Sequence, residues 1–506
     1  MKKSILFCFL LLAAMATFAT PVGKERAARV AQNAVALFCA ELHNTDAKQP
    51  IELIPVSLGM EPKLYIFNYR NNDIEGFIIV SGDDMADPVL AFSDEGMLDL
   101  SGSYDGSTPA KNPAFNDHLL HYMNQIDLGR EAKVATPAHV ALKWQKLESG
   151  NFQTKGDLYH DQIDMLLGNM KWGQSAPYNR QCPGTAITGC VATAFGMIMN
   201  YWDYPQHGFG QHTYNGNDNP AAYPDWRYGA LSADFENTYY NWQHMPDYIF
   251  QNSNSTDIQA IATLLFHIGV ALEMRYSPEG SMSWSLPEYA AFDTSLHLSP
   301  FISAPNRLRK HFGYKYSYAG MRDSVHNDTL WLQMLYNSLA SGKPIYYAGW
   351  AKDTSEAGHS GTAGHGYVLD GYFSDEIDSN YFHINWGWNG NADGLFKLDA
   401  MRPSNNDFTQ WHGAVIGFEP DTSYHGYNPL SAPVPDASPV SAYALGGTIV
   451  AHGVASLPAA VYDIMGRCIA SRPAIPDNTW TLPATPGVYI VRLGHYPATK
   501  VIVTNK

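Results

Sequence analysis

Near its C-terminal end the chain runs through Asn428, Pro429, Leu430, Ser431, Ala432, Pro433, Val434, Pro435, Asp436, Ala437, Ser438 and Pro439. Each proline lacks an amide hydrogen and pushes the residue before it out of the helical region, so no packed helix or central strand can hold this stretch. It reads as a semi-rigid linker, and the 506 residues must divide there. Charge divides at the same place: from Asp421 onward there are five Lys/Arg against four Asp/Glu, while residues 1–420 carry 27 against 44. The linker is assigned to 421–445. Beyond it, short apolar runs at 459–462, 488–491 and 501–503, punctuated by Gly466 and Pro486-Gly487, predict a small β-sandwich domain over 446–506.

Ahead of the linker the composition is that of buried cores, with 45% hydrophobic and only 16% charged residues. The net charge of −16 excludes a general nucleic-acid binder, which needs a basic surface. At the N-terminus Lys2 and Lys3 precede an apolar run at 5–14 and a small-residue site at Thr17-Phe18-Ala19, which predicts an export signal over 1–19. The run is far short of the roughly 20 residues that a membrane helix needs. Cys8 lies too early in it for a lipoprotein cleavage site, and no later segment is apolar enough to span. Residues 20–155 read as a small α+β unit, with a helix at 24–42 and strands at 64–67, 76–80 and 88–92. Its acids Asp83, Asp84 and Asp87 are read as turn residues rather than a metal loop. Residues 156–420 form a larger unit that mixes helices (258–270, 329–339) with strands (344–347, 367–369, 382–384).

Apart from Cys8, the chain has Cys39, Cys182, Cys190 and Cys468, too scattered for a disulfide framework. Cys190 follows Thr188-Gly189 and opens an apolar stretch running to Trp202. A thiol in the first turn of a helix is favoured as thiolate by free N–H groups and the helix dipole. Taken alone, that position is better explained by a buried structural cysteine, and the context has to decide. Gly364-His365-Gly366 then opens a strand, giving an accessible imidazole on a rigid element. His359, in the loop before it, is the fallback. Asn385-Trp386 supplies an amide oxygen able to hold the imidazole N–H and an indole able to shield that bond. Gln174, in Trp172-Gly173-Gln174, could donate to an oxyanion alongside the Cys190 N–H.

The order Gln174, Cys190, His365, Asn385-Trp386 resembles the streptopain family of cysteine peptidases, which have a papain-like fold. So do the segments Trp-Gly-Gln-Ser-Ala-Pro-Tyr-Asn, Thr-Gly-Cys-Val-Ala-Thr-Ala, Gly-His-Gly-Tyr-Val-Leu-Asp-Gly-Tyr and Asn-Trp-Gly-Trp, spread over 165–400. The resemblance implies Cys190 as nucleophile, His365 as base and acid, Gln174 as oxyanion donor, and Asn385 with Trp386 as orienter and shield. It implies that residues 24–96 are a propeptide that blocks the site, within a propeptide unit of 20–155 and a peptidase domain of 156–420. Ser281 and Ser283, in the stretch 273–284, and Gly364 are candidate substrate-binding residues. The ending around Val461-Tyr462-Asp463 and Pro486-Gly487-Val488 resembles a sorting domain of type IX secretion. That implies inner-membrane export, outer-membrane translocation and a secreted or surface location, with that secretion machinery as a partner.

The expected activity is therefore a secreted cysteine endopeptidase made as a self-inhibited zymogen. Its partners are protein or peptide substrates and its own propeptide, with no metal or organic cofactor needed for the chemistry. A disulfide between Cys182 and Cys190 would silence the nucleophile, so both are expected reduced. The loop at 349–364 is long enough for a flap. Absence of His-Glu-x-x-His and Gly-x-Ser-x-Gly leaves zinc-peptidase and serine-hydrolase readings without their residues. A papain-like amidase or transglutaminase, or an inactive scaffold serving as a surface binding protein, are the alternatives.

Overall fold

The structure, a computed structural model, describes residues 19–43, 51–56, 62–98, 112–150, 161–216, 228–283, 285–286, 303–325, 327–350, 364–374, 380–401 and 412–425. In the C-terminal region it describes 441–445, 448–452, 457–463, 467–474, 479–494 and 499–503. The export signal, His359 and most of the 349–364 loop lie outside the described residues.

The N-terminal unit begins with α1 (Lys24–His43), whose apolar face buries Val30, Ala34, Leu37 and Phe38. Strands β1 (Glu52–Val56), β2 (Leu64–Asn71), β3 (Ile74–Ser81) and β4 (Val89–Ser93) follow as an antiparallel meander. Then come α2 (Pro113–Glu131) and α3 (Ala138–Ser149). Helix α2 starts where Asn112 accepts a bond from the Phe115 N–H at 3.0 Å and Pro113 fills the first turn, where its missing N–H costs nothing.

The central unit contributes β5 (Asp161–Ile163), α4 (Cys190–Trp202), β6 (Gln211–Asn215), β7 (Ala230–Asp234), α5 (Ser255–Ala271), α6 (Ala304–Phe312), β8 (Tyr314–Lys315), β9 (Tyr318–Met321) and α7 (Asp328–Ala340). It continues with β10 (Ile345–Trp350), β11 (Gly364–Ser374), β12 (Asn380–Asn385), β13 (Gly394–Phe396), β14 (Gly413–Ile416) and β15 (Glu419–Pro420). These elements match the α+β class expected from the sequence.

The two units share one sheet. Its order is β1-β2-β3-β4-β13-β12-β11-β10-β14-β9, with β5 beside β11, eleven strands in all. The junction is β4 against β13, where Phe92 faces Leu395 and Ala91 faces Phe396. Side chains reinforce it: Asp87 pairs with Lys143 at 3.0 Å and with Lys397, and the Ser93 hydroxyl donates to the Asp393 carbonyl at 2.6 Å. The acids Asp83 and Asp84 likewise engage Arg130 and Arg26, at 2.8 and 2.9 Å, as turn acids held by cations. Helix α2 crosses onto the central unit, where Gln125 accepts the Ala400 N–H at 2.7 Å. One core joins Leu119 and Ile126 of α2 to Trp386 and Phe396. A second surrounds α4, with Phe195, Met197 and Ile198 fully buried.

After the linker the chain forms β16 (Ser441–Leu445), β17 (Thr448–His452), β18 (Ala459–Asp463), β19 (Cys468–Arg472), β20 (Thr479–Pro483), β21 (Gly487–Leu493) and β22 (Thr499–Val503). A sheet of order β16-β17-β20 and another of order β19-β18-β21-β22 enclose Ile449, Val461 and Val491. This is a sandwich, and its first strand begins at Ser441, inside the stretch assigned to the linker.

Phe38 tests how firmly the N-terminal unit is seated. Its ring lies 4.9 Å from Phe92 in its own unit and 5.7 and 5.8 Å from Phe373 and Tyr381 across the junction. Phe38→Ala should cost about 3–5 kcal/mol, read by urea unfolding of the full chain. A loss under about 1 kcal/mol would show that this aromatic seam does not hold the units together.

Candidate active site

Cys190 is the first residue of α4. Gly189 before it has φ +87°, and a Cβ there would lie 2.8 Å from the Ser281 carbonyl, so only glycine makes this entry to the helix. The Cys190 sulfur accepts from the N–H groups of Val191 and Gly366 and bonds the His365 imidazole. Burial alone would raise the thiol pKa, but the imidazole and the two N–H groups outweigh it, and the pKa falls below the ordinary thiol value.

His365 sits near the start of β11, opposite Gly349 of β10. Gly366 beside it must be small, since a Cβ would lie 2.4 Å from the Tyr346 hydroxyl. Gly364 is the first residue of that strand, half-buried and paired with Trp350. The second contact of the imidazole comes from the N-terminal unit: His365 Nε2 lies 3.3 Å from Asp117 Oδ2, on α2. Burial disfavours the imidazolium, but Asp117 and the Cys190 thiol more than offset it and raise the pKa to about 10. The ring is thus charged between a thiolate and a carboxylate.

Gln174 is buried and its side-chain nitrogen has no hydrogen-bond partner among the described residues. Its carbonyl accepts the Thr188 N–H at 3.0 Å, which ties it to the segment leading into Cys190. Asn385 ends β12, but its side chain is engaged elsewhere: Nδ2 donates to the Met170 carbonyl at 2.6 Å and Oδ1 accepts the Gly387 N–H at 3.1 Å. Its oxygen is thus engaged by Gly387, and the carboxylate that faces the imidazole is that of Asp117. Trp386 is wholly buried, with Nε1 donating to the Ala392 carbonyl at 2.8 Å and its ring 4.7 Å from that of Tyr367.

The stretch before residue 284 packs against the segment that leads into Cys190, with the Ser281 carbonyl beside Gly189. Arg275 and Met282 exchange backbone bonds, and the Ser281 hydroxyl donates to the Ile187 carbonyl at 2.6 Å. The Ser283 hydroxyl is buried with no partner among the described residues. All four described cysteines are free thiols. Burial pushes the Cys182 thiol up to about 12.

Two groups were invisible in the sequence reading. Asp117 is one. The other is His383, whose Nδ1 lies 2.5 Å from Asp370 and whose Nε2 lies 2.6 Å from Glu95 of the N-terminal unit. Burial opposes its charge, but the two carboxylates raise its pKa well above the usual value.

A thiolate–imidazolium pair on a helix start and a strand is the chemistry of a thiol hydrolase, here covered by another part of its own chain. Comparison with known proteins agrees. Residues 172–396 match the peptidase C10 family and residues 19–108 match the Spi protease inhibitor family. The chain is 27% identical to streptopain of Streptococcus pyogenes over 390 residues, 74% of this chain and 85% of the relative. It is also 27% identical over 420 residues to the thiol protease/hemagglutinin PrtT of Porphyromonas gingivalis, covering 79% of this chain and 42% of that one. A prointerpain A fragment from Prevotella intermedia superposes with a TM-score of 0.50 at 28% identity, covering 73% of this chain and 98% of the fragment. The chain is a streptopain-type cysteine peptidase of the C10 family, in zymogen form with an inhibitor-like propeptide.

The thiols differ enough to be told apart chemically. At pH 7 iodoacetamide should alkylate Cys190 far faster than Cys182 or Cys39, whose pKa values burial raises. Peptide mapping over pH 5–9 would check this. Equal labelling of Cys190 and Cys182 would contradict the thiolate assignment.

Proposed function

We propose that the chain is a secreted, self-maturing cysteine endopeptidase. The observation that carries this is the His365 imidazole held between Cys190 and Asp117, since it joins a poised nucleophile to a restraint on the part that maturation removes. In the mature enzyme the Cys190 thiolate attacks the scissile carbonyl. Gln174 and the Cys190 N–H receive the oxyanion, and His365 protonates the leaving amine. His365 then takes a proton from water as that water cleaves the thioester. Asn385 is the residue suited to orient the imidazole once Asp117 has gone, with Trp386 behind it. Ser281, Ser283 and Gly364 border the approach to the thiol and are the proposed substrate contacts.

The propeptide is proposed to span 20–155 and the peptidase 156–420. The signal-like N-terminus and the C-terminal sandwich support export through the inner membrane and type IX translocation to the surface or medium. No helix among the described residues is long and apolar enough to cross a membrane.

Casein hydrolysis under reducing conditions, with intact mass followed over time, tests the central claim. Cys190→Ala should neither hydrolyse casein nor shorten itself, and Gln174→Ala should lose about 10²–10³ in kcat. Self-shortening of purified Cys190→Ala would remove Cys190 from the reaction. A wild-type chain whose propeptide has gone and which still leaves casein intact would favour an amidase, transglutaminase or binding protein.

The restraint can be tested separately. Asp117→Ala should speed self-maturation about tenfold or more, the scale of one hydrogen bond to a charged group. Because the folded His365 pKa is raised to about 10, the Asp117 restraint is full below the ordinary imidazole pKa and is lost as pH rises through the folded value of about 10. The gap between variant and parent should therefore close between pH 8 and 10.5. A gap of constant size across that range would mean that Asp117 restrains maturation by some means other than the ion pair.

A further inference from the structure

Helix α2 brings a second histidine to the same face as Asp117, one turn along: His121. Its Nε2 lies 3.4 Å from Asp399 Oδ1, and ligand atoms of His121, Asp399 and His412 all lie within 4.8 Å of one another, all three residues buried. None of them takes part in the hydrolytic chemistry described above. We propose that these three residues form a binding site for a divalent transition-metal ion of the zinc class, complete only while the propeptide is attached.

The geometry fits such an ion. Bonds of about 2.0–2.1 Å at tetrahedral angles place ligand atoms about 3.3 Å apart, which the His121–Asp399 pair already meets. The third ligand has to close by no more than about 1.5 Å from the separation present. Asp399 Oδ1 lies 3.4 Å from His121 and 3.3 Å from Gln125, both longer than ordinary hydrogen bonds. Its other oxygen receives Arg322 at 2.8 Å, and Arg322 is itself neutralised by Asp328 at 2.7 Å. His412 Nδ1 faces the Tyr347 hydroxyl at 3.0 Å, which leaves Nε2 as the nitrogen turned toward Gly349. Partners of this kind fix ligand orientation and tautomer in metal sites. A cavity of about 20 Å³, bounded by His121, His412, Gly349 and His365, has room for a water as fourth ligand. Two imidazoles and a carboxylate, with no thiolate, suit zinc or cobalt.

The ligands come from both sides of the seam. His121 belongs to the propeptide, whereas Asp399 and His412 belong to the peptidase unit. An ion held by all three ties α2 down beside the active site, and by linkage it must be lost, or bound far more weakly, when the propeptide departs. The consequence for maturation rests on the zymogen reading; the binding itself does not.

The test uses full-length Cys190→Ala, which has no catalytic thiol to capture the ion, stripped with chelator and titrated with Zn²⁺ or Co²⁺. One ion per chain is expected, and Co²⁺ should show visible d–d bands without a thiolate charge-transfer band. His121→Gln and His412→Gln should each weaken binding by more than about a hundredfold, beyond the effect of losing an outer partner. Should either variant fail to fold, anomalous scattering at the zinc edge from crystals of zinc-loaded Cys190→Ala decides the matter, with a peak expected between the three ligands. No binding below millimolar zinc, affinity unchanged in both variants, or an anomalous peak only elsewhere would overturn the site. Each of these readouts is independent of whether the wild-type chain hydrolyses casein.

Discussion

The backbone pairing of β4 with β13 is the constraint on which the rest of this molecule depends. A sheet edge presents unpaired N–H and C=O groups that must find partners, and in this chain the peptidase edge finds them in the propeptide. Once that register is set, the chain leaving β4 is positioned for α2 to lie across the end of the sheet that carries β11 and His365. The inhibitory contact is therefore not a loose plug. It is built on an extension of the catalytic domain's own sheet, backed by the Asp87 and Glu95 carboxylates, each lodged against a cation of the peptidase.

That arrangement uses one piece of electrostatics for two purposes. A thiolate at a helix start needs a nearby cation to survive burial, and His365 supplies it. An imidazolium buried beside a thiolate still has a second N–H to satisfy, and whichever acceptor holds it controls where the ring points. In this structure the carboxylate facing that nitrogen is Asp117, whose Oδ2 lies 3.3 Å from Nε2 as an ion pair. Its full charge attracts the imidazolium more strongly than a neutral amide oxygen would, and the pairing with Cys190 is kept.

Much of this was legible in the sequence, and the reason is periodicity. The helices at 24–43 and 255–271 carry apolar residues at helical spacing, and β2, β3, β11 and β12 are apolar runs bounded by turn residues. Cys190 and His365 stood out because chemistry-bearing residues were flanked by glycines whose small size the packing requires. Helix α2 was missed for the opposite reason. Its buried face includes Asn116, His118, His121 and Gln125, so the 3.6-residue apolar rhythm is broken where the helix matters most. Those polar residues are buried because they answer polar groups on the peptidase, such as the Lys397 carbonyl that His118 meets at 3.0 Å. A one-dimensional pattern cannot show such pairing, since the partner lies 279 residues away.

The position of Asn385 shows what maturation must accomplish beyond cleavage. Its amide is bonded to the Met170 carbonyl and its oxygen to the Gly387 N–H. On the proposed mechanism Asn385 takes the place of Asp117, and because its amide oxygen has a second lone pair it needs to turn toward the His365 N–H rather than to abandon Gly387. Gly387, with φ +71°, stands at the turn where such a change would be absorbed with least steric cost. On the proposed mechanism latency has two layers, a carboxylate beside the imidazole and an asparagine already engaged by the backbone. Cutting the propeptide relieves the first directly. The second follows if the bond gained at His365 outweighs the cost of turning the Asn385 amide, and a charged donor favours that gain.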